Sequence, residues 1–177
     1  MLFDFTKIPH AQAYKLCVAS VVPRPVAWVV SQDRAGVVNA APFSFFNVFS
    51  DNPVVVAFGC GRSPSGGIKD TLSNIEATGQ FVVNLVSSMN ADQMNITAID
   101  FPPEVDEVEQ AGLTTAPSTM VRVPRIAESP VALECEIFQF VPTNGHVIVL
   151  GRVVAMHIQD DCVLDAAKFY VDTPKLD

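Results

Sequence analysis

The stretch NAAPFSFFNVFSDNP, residues 39–53, places four phenylalanines within seven positions and separates them with Ser44, Asn47 and Ser50. Side chains of an extended strand alternate between two sides. On that reading Phe43, Phe45 and Phe49 share one side, while Ser44, Phe46 and Ser50 share the other. Neither side is cleanly apolar or polar, so both are expected to be covered. Pro42 offers no backbone donor, which puts this piece at a sheet edge or at a bend. Aromatic walls beside hydroxyl, amide and backbone groups suit a planar heteroaromatic ligand. The plainer use of such residues is in a core or a subunit interface, and Phe45 and Phe49 are assigned to that use.

Around this stretch the chain reads as strands punctuated by turns. Residues 26–31 are β-branched and aromatic, hence a strand, and Asp33-Arg34-Ala35-Gly36 reads as a hairpin turn. Further strands are expected over residues 37–41, 54–59, 80–86, 131–141 and 146–158. The last two are joined through Pro142-Thr143-Asn144-Gly145, where Asn-Gly is a strong hairpin signal. Helices are expected over residues 10–19, before Pro23 and Pro25, and over residues 69–79. In the second, Leu72 and Ile75 lie one turn apart, Asp70 is the expected N-cap and Gly79 the stop. Weaker helical signals cover residues 89–96 and 103–111. Many strands, few helices and hairpin links predict an all-β protein with short helices, built as an antiparallel barrel rather than a doubly wound parallel sheet.

Composition narrows the function classes. A chain of 177 residues is read as one domain, residues 1–177, large enough to bury a core without disulfides. Apolar residues make up 49 %, yet every apolar run is cut short of membrane-spanning length, so the excess is assigned to a subunit interface. The start MLFDFTKIPH lacks the pattern of a secretory signal, and a cytoplasmic location is expected. A net charge of −8 without a basic cluster argues against nucleic acid as a partner. Cys17, Cys60, Cys135 and Cys162 form no C-x-x-C pair and are read as free, mostly buried thiols. His10, His146 and His157 have no metal-ligand spacing, so no metal is expected. The acids Glu104, Asp106, Glu107 and Glu109 are read as a solvated face. Asn95-Ile96-Thr97 fits a glycosylation acceptor, which carries no meaning without a secretory route.

One segment has the outline of an anion pocket. Residues 59–71 leave a strand, cross a glycine-rich loop containing Arg62 and open a helix bearing Lys69 and Thr71. Free amides at a helix start, the helix dipole and a nearby lysine favour a phosphate monoester. An ordinary loop fits the same spacing equally well, and the Gly-Lys-Ser/Thr ending of a Walker loop is absent.

Taken together, RPVAWVVS (24–31), NAAPFSFFNVFS (39–50), Pro53, KDTLSNIEATGQFVVNLV (69–86) and ESPVALECEI (128–137) resemble the flavin reductase-like domain family. Its fold is the FMN-binding split β-barrel, and the motifs follow the family order along most of the chain. The resemblance implies a homodimer of six-stranded antiparallel barrels with FMN near the subunit interface. Members commonly take hydride from NADH or NADPH and reduce flavin, often for a partner monooxygenase, while others are FMN-bearing electron carriers. Carried over, Asn39, Ala41, Pro42, Phe43 and Ser44 match the segment around the isoalloxazine, with Phe46 as a further wall. Trp28 and Ser31 match the strand that passes the ribityl chain and phosphate, and Lys69, Asp70 and Thr71 match the phosphate-side motif, where Arg62 is also placed. His146 stands where many relatives carry a histidine near flavin or nicotinamide, and a role in nicotinamide docking and a bond within its own hairpin both stay open. Ile68 replaces a proline often found before Lys-Asp-Thr, and relatives usually continue beyond the position of Asp177 with a stretch that packs near the flavin. The expected activity is an NAD(P)H-dependent FMN reductase. An FMN-bound carrier not using NAD(P)H and a non-enzymatic dimeric binding module are the alternatives.

Overall fold

The computed structural model describes residues 1–62, 66–102 and 105–176. Ser63, Pro64 and Ser65 of the glycine-rich loop, and Pro103 and Glu104 of the acidic segment, lie outside the described residues. Helix α1 (His10–Ser20) leads into strands β1 (Ala27–Gln32), β2 (Val38–Phe43), β3 (Phe46–Asp51) and β4 (Val54–Gly61). Next come α2 (Asp70–Thr78), β5 (Gln80–Leu85), α3 (Ala91–Ile96) and α4 (Glu107–Gln110). The chain ends with β6 (Thr115–Ala116), β7 (Arg125–Ile126), β8 (Val131–Pro142), β9 (His146–Ile158), β10 (Val163–Asp165) and β11 (Tyr170–Val171).

The main sheet has seven strands, not the expected six, in the order β2-β1-β5-β8-β9-β4-β3, and every pairing is antiparallel. The extra strand comes from the opening stretch. Residues 39–53 are not one alternating strand: the chain bends at Ser44 and Phe45 between β2, which pairs with β1, and β3, which pairs with β4. Pro42 lies in β2 at the sheet edge, where its missing donor leaves no ladder bond unmade. The order puts β2 and β3 at opposite edges, yet only Ser44 and Phe45 join them. A sheet whose two edges are tied by so short a link has to curl until they meet, giving a barrel with an unpaired seam. The β3–β4 pairing runs on to that seam, where the Gly59 amide donates to the Phe45 carbonyl at 2.8 Å.

Both faces of the central strands are covered, which explains their nearly continuous apolar sequences. Odd-numbered residues such as Ala27, Val29, Phe81, Val83, Leu133 and Cys135 point into the barrel, where Phe58, Val149 and, from α2, Leu72 and Ile75 complete the packing. Even-numbered Trp28, Val30, Val82 and Ala132 face outward and are covered by α4 and the segment carrying Val121, Val123 and Ile126. Fully burying each Val, Leu, Ile or Phe among them contributes roughly 1.5–3 kcal/mol. Phe58 and Phe81 meet edge to face at 5.7 Å between centroids. Phe81 also lies across β9 at Gly151, where an added Cβ would come within 2.3 Å of its ring, so a side chain does not fit there.

Turn chemistry fixes the rest. The Asp33–Gly36 turn is closed by the Val37 amide donating to Asp33 Oδ1 at 2.8 Å, with Gly36 at φ 99°. The β8–β9 hairpin is closed by the Thr143 amide and hydroxyl, both donating to the His146 carbonyl. Helix α2 ends as expected at left-handed Gly79, but its N-cap is Lys69, which makes no side-chain cap bond, and the expected cap Asp70 is instead the first helical residue. Among the described residues no disulfide forms: Cys60, Cys135 and Cys162 are buried and Cys17 is half-buried. No helix of the described residues is long and apolar enough to cross a membrane.

Candidate functional site

Two clefts adjoin along β2 and share Pro42 and Lys69 as walls. The first, of about 260 Å³, lies between β2 and the start of α2, with Asn39, Ala41, Asp70 and Thr71 on its walls. The second, also of about 260 Å³, opens at the barrel seam, where Phe43, Ser44, Phe45 and His146 line it. Eight of the expected site residues thus come together: Asn39, Ala41, Pro42, Phe43, Ser44, Lys69, Asp70 and Thr71. His146 joins them from the start of β9.

The start of α2 has the groups an anion needs. Its first intrahelical bonds come from the Leu72 and Ser73 amides to the Lys69 carbonyl, at 3.0 and 3.1 Å, so the preceding amides of Asp70 and Thr71 are outside the helix ladder. Lys69 makes no ion pair among the described residues. Against this stand the carboxyls of Asp70, Asp100 and Glu107 on the same cleft.

The second cleft is aromatic and basic. The Phe45 ring lies 5.9 Å from that of Tyr14 and 6.1 Å from His146. Arg24 stands 6.0 Å over the Phe45 ring and its Nε donates to Ser44 Oγ at 3.4 Å. Gly59 and Gly61 let these rings approach the backbone: a Cβ on Gly61 would be 3.1 Å from His146 Nε2, and one on Gly59 would be 3.4 Å from the Phe45 Cβ. Phe45 is partly exposed and Phe49 is 69 % exposed, so neither fills the core of this chain.

Other expected residues sit elsewhere. Trp28 is fully buried in the outer layer, its indole N–H donating to Thr97 Oγ1 at 2.9 Å. Ser31 is fully buried and accepts from Asn74 Nδ2 at 3.2 Å. Neither lines the two clefts. Phe46 packs against the barrel interior. Arg62 is exposed, and its guanidinium donates to the Gly66 carbonyl at 3.3 Å on a neighbouring recess that contains Cys60. Trp28 acts on the site at one remove, since it holds Thr97, the first residue of the 97–101 segment that forms the far wall of the first cleft.

Sequence reading misplaced Glu107. It is not part of a solvated face: it is 8 % exposed, lines the first cleft, and its Oε2 accepts the Ala40 amide at 3.2 Å. Burial pushes its carboxyl up to about 7; its own and the Ala40 amides pull the other way, and Asp70 and Asp106 push it further up. Tyr14, Arg24 and the 97–101 segment were also not assigned to the site from sequence. Only Arg24 carried a signal, as the first residue of RPVAWVVS.

Known proteins resemble this chain along nearly all its length. A protein of Deinococcus radiodurans is 43 % identical, over 99 % of this chain and 79 % of its own length. The crystal structure of nitrilotriacetate monooxygenase component B from Bacillus cereus superposes with a TM-score of 0.93 at 30 % identity, covering 99 % of this chain and 88 % of that one. That of Pseudomonas fluorescens 2-nitrobenzoate 2-nitroreductase NbaA gives 0.88 at 34 % identity, covering 97 % and 83 %. The sequence pattern of the flavin reductase like domain matches residues 19–172, and the chain belongs to that family.

Proposed function

We propose that the protein is an oxidoreductase that binds FMN in the paired clefts and reduces it with NADH or NADPH. The observation that carries this reading is Lys69, an unpaired cation among the described residues, standing at the start of α2 between a polar cleft and an aromatic one. A phosphate monoester fits the lysine and the two free amides, and a planar ring fits the Pro42-to-Phe45 wall. Bound flavin supplies the hydride chemistry, so the chain itself needs no acid–base triad.

The residues then divide the work. Lys69 and the Asp70 and Thr71 amides hold the phosphate. Asn39 and Ser44 offer polar groups beside the ring, and Phe43 backs the wall from the core. Tyr14, Phe45 and His146 give the nicotinamide an apolar, partly exposed shelf that orients it and limits water. Val48, Phe49 and Val54 are exposed apolar residues on the edge strand β3 and its neighbour β4, and we assign their cover to a second copy of the chain in a homodimer. The likeness to a monooxygenase component supports an oxygenase as recipient of the reduced flavin.

Mixing the protein with NADH or NADPH and excess FMN tests the activity: nucleotide oxidation is expected, and none with either nucleotide excludes the reductase and leaves the carrier. Lys69→Ala is expected to weaken FMN by roughly 1.5–3 kcal/mol, the scale of a charge-assisted hydrogen bond, while riboflavin binding changes little. A second reading, reduction of a nitroaromatic acid by the flavin-loaded protein, is favoured by the 34 % identity to the nitroreductase. Consumption of 2-nitrobenzoate under NADH checks it.

A further inference from the structure

We propose that Glu107 sets the charge that the anionic end of the ligand meets in the first cleft, admitting phosphate when it carries a proton and repelling it when it does not. This rests on the reading of that cleft as the phosphate end. The placement comes from the fold. Asp106 caps α4 by accepting the Val108 and Glu109 amides at 2.8 and 3.2 Å, which fixes Glu107 at the first helical position. There it turns inward against β2 and accepts the Ala40 amide between Asn39 and Ala41, two wall residues of the cleft.

Charged groups surround it from every side. Lys69 and Asp70 face the cleft from the start of α2, Asp100 from the 97–101 segment, and Asp106 lies next to it at the cap of α4. Asp33 shares with Glu107, Asp70, Asn39 and Asn74 a smaller adjoining cavity of about 80 Å³. One lysine among these carboxyls leaves the cleft poorly suited to a dianion unless at least one carboxyl is neutral. Glu107 is the one whose carboxyl is pushed up to about 7, by burial first, so it changes charge near neutral pH. Binding of an anion beside it favours the protonated form, so binding takes up a proton there. A protonated carboxyl also becomes a hydrogen-bond donor.

The test measures the affinity of the purified protein for FMN and for riboflavin between pH 6.5 and 8.5, in wild type and Glu107→Gln, whose amide mimics the neutral carboxyl. FMN binding to wild type is expected to weaken several-fold to about tenfold over that range, the scale of one like-charge contact. Glu107→Gln is expected to keep the tighter value throughout, and riboflavin to bind both proteins without that slope. The phosphate's own second proton, lost near pH ~6, acts in the opposite direction and is common to both proteins. Equal slopes in wild type and Glu107→Gln overturn the proposal. If Lys69→Ala weakens FMN selectively while those slopes are equal, only the role of Glu107 falls. If FMN and riboflavin bind alike and Lys69→Ala alters neither, the phosphate reading falls and takes this inference with it. Should Glu107→Gln fail to fold, titration calorimetry of wild type at pH 7.5 in two buffers of different ionisation enthalpy decides: proton uptake with FMN but not riboflavin supports the proposal, and none overturns it.

Discussion

Glu134, on barrel strand β8, and Glu107, on the covering helix α4, are both buried glutamates, and their carboxyls are shifted in opposite directions. Glu134 is fully buried, and burial alone pushes its carboxyl up. That push is overcome by the Thr119, Met120 and Val121 amides, which donate at 2.7, 2.6 and 3.0 Å, and by His157 Nε2 at 2.5 Å, so the carboxyl is held below its ordinary value. Glu107 receives the Ala40 amide at 3.2 Å and faces other acids, and its carboxyl rises. Burial is common to the pair, so donor count and neighbouring charge decide the sign. One residue is a structural pin; the other has the character of a site group.

The comparison can be broken at either end. Replacing Glu134 with Leu leaves the buried Val121 amide, the part-buried Thr119 and Met120 amides and the His157 ring without their acceptor and is expected to cost about 3–5 kcal/mol, read by urea denaturation. A loss below about 1 kcal/mol would show that the 119–121 segment finds other partners. Next comes the pH dependence of stability. Because the folded-state value of Glu107 is raised above 4.5 to about 7, the folded protein binds more protons than the unfolded chain between these values. Its contribution is therefore full below about pH 4.5 and lost as pH rises through about 7, a decline of roughly 3 kcal/mol that Glu107→Gln should remove. Glu134 has the opposite sign, and its contribution is lost as pH falls below the ordinary glutamate range. Denaturation midpoints at about pH 3, 5 and 8 separate the two, the lowest interval reading Glu134 and the upper one Glu107. The smallest effect is expected from Trp28→Phe, which removes the bond to Thr97 and leaves a small void at a fully buried position, for about 2 kcal/mol. FMN affinity of the same variant tells whether Thr97 positions the cleft wall.

What was legible in the sequence was what local chemistry decides. Asp33 and Gly36 closed a turn, Asn144-Gly145 lay in a hairpin, and Gly79 stopped α2, each through bonds within a few residues. The strand Phe46–Asp51 was missed because the bend at Ser44 and Phe45 follows from edge pairings with β1 and β4, which no alternation pattern encodes. Trp28 was unreadable for a related reason: Ala27, Trp28, Val29, Val30 and Ser31 are all buried, so the strand shows no polar face to say which side looks inward. Glu107 was hidden by distance, since its partner Ala40 lies 67 positions away and a dense acidic segment looks solvated when read alone. Residues 39, 41–44 and 69–71 line the adjoining clefts; the loop-to-helix outline around Lys69 is legible from local chemistry, whereas setting it beside the 39–44 stretch rests on the motif resemblance.

The two-residue tie between β2 and β3 has a mechanical corollary. In an open sheet the outermost strands fray independently. Here Ser44 and Phe45 fasten one border strand to the other, so peeling either away tugs on its counterpart across the gap. Amide hydrogens of residues 38–43 and 46–51 should therefore exchange with solvent as one unit, although five strands separate them in the ladder.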